Sequence, residues 1–158
     1  MEGFYLICGH LLGDYILQND WMAANKANPH PAGPRPHDGV VIDLGKDWRP
    51  EVLEERDAWD QVRRKWLVGH LACAVHCLLY TVAVAACSFW WMPWWGYAVC
   101  LLAHFAIDRF RLAGRWMRNV SGQEAFASGP LSPWSIIVVD NTFHLLTLAG
   151  IAAVAGRF

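Results

Sequence analysis

Charge is scarce in this sequence. Asp, Glu, Lys and Arg together make up 17% of its 158 residues, against about a quarter in an ordinary soluble domain. The formal net charge is −1, so there is no basic field to draw in nucleic acid, and none is expected as a partner. A disulfide framework is also missing. The five cysteines, Cys8, Cys73, Cys77, Cys87 and Cys100, all lie in apolar stretches, and an odd count without an extracellular pattern argues against bridges. They read as small buried hydrophobes. Cys73 and Cys77 share a helical face, but no further Cys or His stands at zinc-finger spacing. The start of the chain has Glu2 where a secretory signal would have basic residues, and no small-residue cleavage site follows, so no cleavable signal peptide is expected.

What fills the chain instead is apolar. Hydrophobic residues make up 55% of it and ten residues are Trp. Trp suits a boundary that is apolar on one side and wet on the other, as at a membrane surface. Four segments approach the roughly 20 apolar residues that a bilayer crossing needs: residues 3–20, 66–88, 93–112 and 133–155. Pro93 and Pro133 open the third and fourth, where a first helical turn tolerates proline. Run length without strict alternation excludes a barrel. The expected fold is all-α: one integral membrane domain over residues 1–158, a four-helix transmembrane bundle. Its first two helices are joined by a long polar loop, 21–65. Within that loop, Asn28 to Gly39 is Pro- and Gly-rich and reads as irregular. Pro50 to Lys65 reads as a charged helix with Val52, Trp59, Val62 and Trp66 near one face; that face lies on the membrane surface or runs on into the second span. A second polar loop is expected at 113–132.

All Lys and Arg except Arg157 fall in two places. Lys26, Arg35, Lys46, Arg49, Arg56, Arg63, Arg64 and Lys65 are in the first loop, and Arg109, Arg111, Arg115 and Arg118 end or follow the third segment. Four spans put both groups on one side, which the positive-inside rule makes cytoplasmic. Both termini then face outward across a bacterial inner membrane. Losing one span would split the basic groups across the bilayer.

Ionisable residues inside spans are functional candidates by default. Here they are patterned. The first segment holds His10 and Asp14, the third His104 and Asp108, and the fourth Asp140 and His144. Each pair is spaced i, i+4 and so projects from one helical face. The order inverts as the chain direction inverts, which holds depth constant. Asp14, Asp108 and Asp140, with His70 of the second segment, form one layer in the cytoplasmic half. His10, His104 and His144 form a layer about 6 Å deeper. His76, six residues from His70, lies about 120° off its face and joins the deeper layer only loosely. His30 and His37, in the Pro-rich loop, read as solvated.

Metal sites in helix bundles are built from such pairs on facing helices. The candidate metal ligands are therefore His10, Asp14, His70, His104, Asp108, Asp140 and His144. Mixed imidazole and carboxylate donors suit Zn²⁺ first, with Mn²⁺ or Fe²⁺ as alternatives. Asp14, Asp108 and Asp140 are the candidate catalytic carboxylates. Interhelical hydrogen bonding, or a proton or ion path, is the competing use of such residues. A path is disfavoured because the outer halves of the second and fourth segments, TVAVAACSF and LTLAGIAAVAG, hold little that is polar.

The stretch GHLLGDYILQNDWMAANK, residues 9–26, resembles the opening of a family of small phage and bacterial membrane proteins. The shared positions are His10, Asp14, Leu17, Gln18, Trp21, Met22, Ala23 and Lys26. GHLACAVH with His70 and His76, AHFAIDRFR with His104 and Asp108, and VVDNTFHLL with Asp140 and His144 look like the same family's later motifs. The chain departs from that pattern in a longer insert between Lys26 and His70, and in Asn141, where Gln is expected. By analogy, the family is similar to membrane-bound metal-dependent hydrolases.

The expected function is thus a membrane-embedded, metal-dependent hydrolase. It would act on an ester or phosphoester, a lipid among the candidates, near the cytoplasmic leaflet. Gln18, Lys26 and Arg109 are the candidate substrate-binding residues, with basic anchoring to the membrane the competing use of Arg109 and Arg111. The alternative is a non-enzymatic phage or bacterial factor that binds a host membrane protein, with the His/Asp cluster structural. The sequence leaves the oligomeric state open, a homo-oligomer included.

Overall fold

A computed structural model describes residues 2–27, 55–89 and 91–156. Its described residues are mostly helical, with no strand among them. The Pro-rich part of the first loop, with His30, His37 and Val52, lies outside them, as does the side chain of Trp59.

The chain opens with α1, Glu2–Leu11, which passes into one turn of π-helix, Leu12–Ile16. The expected first span of 3–20 therefore ends early. Leu17 N–H closes the wide turn on Leu12 O at 3.0 Å, and Asn19 Oδ1 then accepts from Met22 N–H at 2.9 Å. That side chain caps a new short helix, α2, Asp20–Asn25, in the way expected of Asn at an N-cap.

The charged segment before the second span does not form a separate helix. It is the first part of α3, Glu55–Cys87. Phe89 turns the chain in the left-handed region, φ 50°. Pro93, extended, then starts α4, Trp94–Arg109. The third segment stops three residues short of its expected end because Arg111 takes a left-handed conformation, φ 51°, before α5, Leu112–Asn119. The expected polar loop at 113–132 thus carries α5 and a short α6, Glu124–Ser128. Pro133 precedes α7, Trp134–Val154, close to the expected fourth segment.

The four long helices pack in a ring: α1 on α3, α3 on α4, α4 on α7 and α7 on α1, with no diagonal pairs. Neighbours run antiparallel. α1 comes unusually close to α3. A Cβ on Gly9 would stand 2.8 Å from Val84 Cα, and one on Gly13 would stand 2.6 Å from the ring of Tyr80. The Gly-xxx-Gly spacing gives α1 a flat stripe there, as in close-packed membrane helices.

One end of the bundle is apolar, built on Leu6, Tyr80, Val84, Met92, Cys100, Leu148 and Ile151. Towards the other end the interior turns polar. Outward the pattern reverses: Ile7 and Leu11 on α1, Leu71, Leu78 and Val82 on α3, Leu102 on α4, and Val138 and Leu146 on α7 are all exposed. Among the described residues, two stretches are long and apolar enough to cross a membrane, Val62–Cys87 within α3 and Trp134–Val154. α1 with its π turn, and α4, are each under about 25 Å long, less than the roughly 30 Å of a hydrocarbon core.

Candidate metal centre

The site is assembled from the four long helices and the end of α2. His10 and Asp14 come from α1 and its π turn. The wide turn carries Asp14 inward, a common placement of π turns at functional positions. His10 Nδ1 lies 3.1 Å from Asp14 Oδ2 and 3.2 Å from Tyr80 Oη. His76 comes from α3, His104 and Asp108 from α4, and Asp140 and His144 from α7.

Three imidazoles and three carboxylates converge. His76 Nε2 is 3.3 Å from Asp14 Oδ1, 3.3 Å from Asp108 Oδ2 and 3.0 Å from His104 Nε2. His104 Nε2 is 3.4 Å from Asp14 Oδ1 and 3.3 Å from Asp108 Oδ2. His144 Nε2 lies 3.4 Å from Asp108 Oδ1 and 3.3 Å from Asp140 Oδ2. His104 and His144 stack, ring centroids 4.0 Å apart.

These contacts are poor hydrogen bonds but good ligand edges. Asp14 Oδ1 and His144 Nε2 are buried without a hydrogen-bond partner, although oppositely charged or polar atoms stand within 3.5 Å of each. Donor atoms about 2.0–2.1 Å from a common cation stand about 3.0–3.4 Å from one another. His76, His104 and Asp108 form one triangle that could hold a metal ion; Asp14, His104 and His144 form a second, and Asp108, Asp140 and His144 a third.

Charge points the same way. His10, His76, His104, Asp108 and His144 are all buried, and the Asp14 side chain is 11% exposed. Lys26, just past α2, brings one positive charge: its Nζ lies 2.8 Å from Asp108 Oδ2 and 3.5 Å from His76 Nε2. Burial opposes that charge, but Asp108 outweighs it and holds the Lys26 pKa above the ordinary lysine value. With the imidazoles neutral, as metal ligands must be, three carboxylates against one ammonium among the described residues leave two negative charges in a low-dielectric interior, a costly arrangement. One divalent ion would balance them. The same ion would compete with Lys26 for Asp108 Oδ2.

Not every expected ligand is present. His70 stands apart from the cluster, where Arg109 Nε donates to its Nδ1 at 3.2 Å and its ring packs on Trp66. Six residues along α3 amount to about 9 Å of rise and 120° of turn, so His70 and His76 cannot both face the site. The helix presents His76, and Lys26 fills the position expected of His70. Arg109 is buried beside His70. Gln18 is half-buried, its Oε1 enclosed without a hydrogen-bond partner. Asn141 Nδ2 donates to Tyr15 Oη, tying α7 to the π turn beside Asp14.

Tyr80 was not among the expected residues. It is buried, and its ring centroid lies 3.8 Å from that of His104. The signal for it was its i, i+4 spacing from His76 on α3. The cysteines stay outside the site. All five are free, and Cys73 Sγ donates to Phe105 O.

No family model matches the chain, and no curated protein or solved structure is significantly similar to it. The functional reading therefore rests on the residues and their geometry.

Proposed function

We propose that this protein is a membrane-embedded, metal-dependent hydrolase acting on an ester or phosphoester near the cytoplasmic leaflet. The observation that carries the proposal is the convergence of His76, His104 and His144 Nε2 with Asp14, Asp108 and Asp140 oxygens at 3.0–3.4 Å. His76 Nε2 and His104 Nε2 face each other across 3.0 Å, a separation that also suits two ligands of one ion.

The bilayer is proposed from the inside-out pattern. Only 22% of the residues in the most apolar window of α7 are buried, unlike the core helix of a soluble domain. Large apolar side chains are exposed on α1, α3, α4 and α7, while His10, His76, His104, Asp108 and His144 are buried between them, as in membrane bundles. We propose four crossings, the shorter α1 and α4 being accommodated by local thinning of the bilayer. The basic residues put α5 and the 28–54 segment in the cytoplasm and both termini outside. The motif resemblance to small phage and bacterial membrane proteins belongs to the same proposal.

Zn²⁺ is the proposed ion, with Mn²⁺ or Fe²⁺ as alternatives. Such an ion supplies Lewis acidity and a nucleophile at neutral pH. The chain's own residues supply the rest. His10 holds Asp14 in place. Asp140, with 27% of its side chain exposed, is the carboxylate that an incoming water or substrate meets first. Lys26 can leave Asp108 to hold an anionic oxygen of the substrate.

The test is hydrolysis of chromogenic carboxylic, phosphomonoester and phosphodiester probes by protein in lipid nanodiscs. Activity that a chelator removes, that Zn²⁺ or Mn²⁺ restores, and that Asp140→Asn lowers at least a hundredfold is expected. Stoichiometric metal with no hydrolysis of any probe class would contradict the enzymatic reading.

A further inference from the structure

The two oxygens of Asp108 face different partners. Oδ2 points to His76 Nε2 and His104 Nε2, both 3.3 Å away. Oδ1 points to His144 Nε2 at 3.4 Å, and that nitrogen is 3.3 Å from Asp140 Oδ2. Only 1% of the Asp108 side chain is exposed, so neither oxygen is satisfied by bulk water. His144 is 2% exposed, and its Nε2 has no hydrogen-bond partner.

A four-coordinate Zn²⁺ cannot use all of these donors. An ion drawn to Asp108 Oδ2 takes His76, His104 and Asp14 Oδ1. The donors around Oδ1, His144 Nε2 and Asp140 Oδ2, are left over as a second set. A carboxylate whose oxygens serve separate ligand sets, with carboxylates and His residues from four facing helices, is the arrangement by which bundles hold paired ions.

We infer that the centre binds two divalent ions, with Asp108 bridging them. This rests on the metal-dependent reading above. The first ion is held by His76, His104, Asp14 and Asp108 Oδ2, the second by His144, Asp140 and Asp108 Oδ1. The sites differ in access. The side chains of the first set are at most 11% exposed, whereas Asp140 is 27% exposed. The second ion is therefore the one that exchanges readily and that meets an incoming ligand.

The charge balance also changes with the second ion. Two divalent ions and Lys26, set against three carboxylates, give a centre with two net positive charges. That sum selects an anionic ligand, and a phosphoryl group is the class that two adjacent cations bind best.

The test is metal stoichiometry and spin coupling in full-length protein, purified in detergent, stripped with chelator and reloaded with Mn²⁺ alone. Native protein is expected to bind two ions per chain and to give an exchange-coupled electron paramagnetic resonance signal, which requires ions within about 4 Å of each other. Asp140→Asn, a change at the half-exposed rim, is expected to bind one ion and give the signal of an isolated Mn²⁺. Circular dichroism melting of the variant checks that it is folded. One ion per native chain, whatever the variant binds, would overturn the two-ion centre while leaving the metal-dependent reading standing. Two ions in both proteins would overturn the assignment of Asp140. No bound ion in folded native protein would overturn both readings.

Discussion

Lys26 Nζ lies 2.8 Å from Asp108 Oδ2, joining residues 82 positions apart in the chain. The contact puts an ammonium on the oxygen that two imidazole nitrogens also face. Lysine and a divalent ion are rivals for it. Lys26→Met removes the rival and keeps the apolar stem. Zn²⁺ affinity is expected to rise about tenfold, equivalent to about 1.4 kcal/mol, in a competition titration with a chromophoric chelator. Metal-free protein should melt lower, because Asp108 loses a partner, so the metal-induced shift in melting temperature should widen. Weaker Zn²⁺ binding in the variant would show that Lys26 supports the metal instead.

His70 and His76 offer a direct contrast between a sequence reading and a structural one. His76→Gln is expected to weaken metal binding at least a hundredfold, since it removes a donor with four partners in the cluster. His70→Gln should change it less than about threefold, because that ring meets Arg109 and Trp66 and not the cluster. Metal affinity measured for the two purified variants decides the matter. The reverse order would restore His70 as the ligand.

Much of this centre was legible in the residue order. Three i, i+4 pairs, His10/Asp14, His104/Asp108 and Asp140/His144, invert with chain direction, and a closed ring of antiparallel helices brings them together. Pro93 and Pro133 marked the starts of α4 and α7. The choice between His70 and His76 was not legible. It depends on the rotation of α3, and that is set by the close packing of Gly9 and Gly13 on Val84 and Tyr80. Periodicity within one helix carries no such information. The π turn at Leu12–Ile16 and the left-handed Arg111 also left no hydropathy signal, so the first and third segments read longer than they are. Lys26 stood out only as a motif position; α2 brings it back over the site.

The glycine stripe gives a prediction about assembly. Gly13→Ala would put a methyl group into the Tyr80 ring. Such overpacking costs about 1–3 kcal/mol. Since α1 also carries His10 and Asp14, metal affinity should fall along with stability. Gly3→Ala, which meets nothing within 4 Å, is the control and should be neutral. Unfolding in mixed detergent micelles measures both. Equal behaviour of the two variants would exclude a close α1–α3 contact.

Tyr80 acts on the site through another residue. Its hydroxyl lies 3.2 Å from His10 Nδ1, the nitrogen that also faces Asp14 Oδ2 at 3.1 Å. Tyr80→Phe keeps the ring that packs on His104 and removes only this contact. Loss of such a supporting hydrogen bond typically costs 10–100-fold in metal affinity, and about tenfold is expected, with the melting temperature of metal-free protein nearly unchanged. Tyr80→Leu, which also removes the ring, should lower both. A Tyr80→Phe protein with native metal affinity would reduce Tyr80 to a packing residue.

The central claim is that buried imidazoles and carboxylates, and no thiolate, hold a divalent ion inside this bundle. X-ray absorption at the zinc edge on Zn²⁺-loaded protein in nanodiscs tests it most directly. The account expects a shell of nitrogen and oxygen donors at about 2.0–2.1 Å, with the outer-shell scattering of two or more imidazoles. A sulfur shell at about 2.3 Å, or an ion surrounded by water alone, would contradict it.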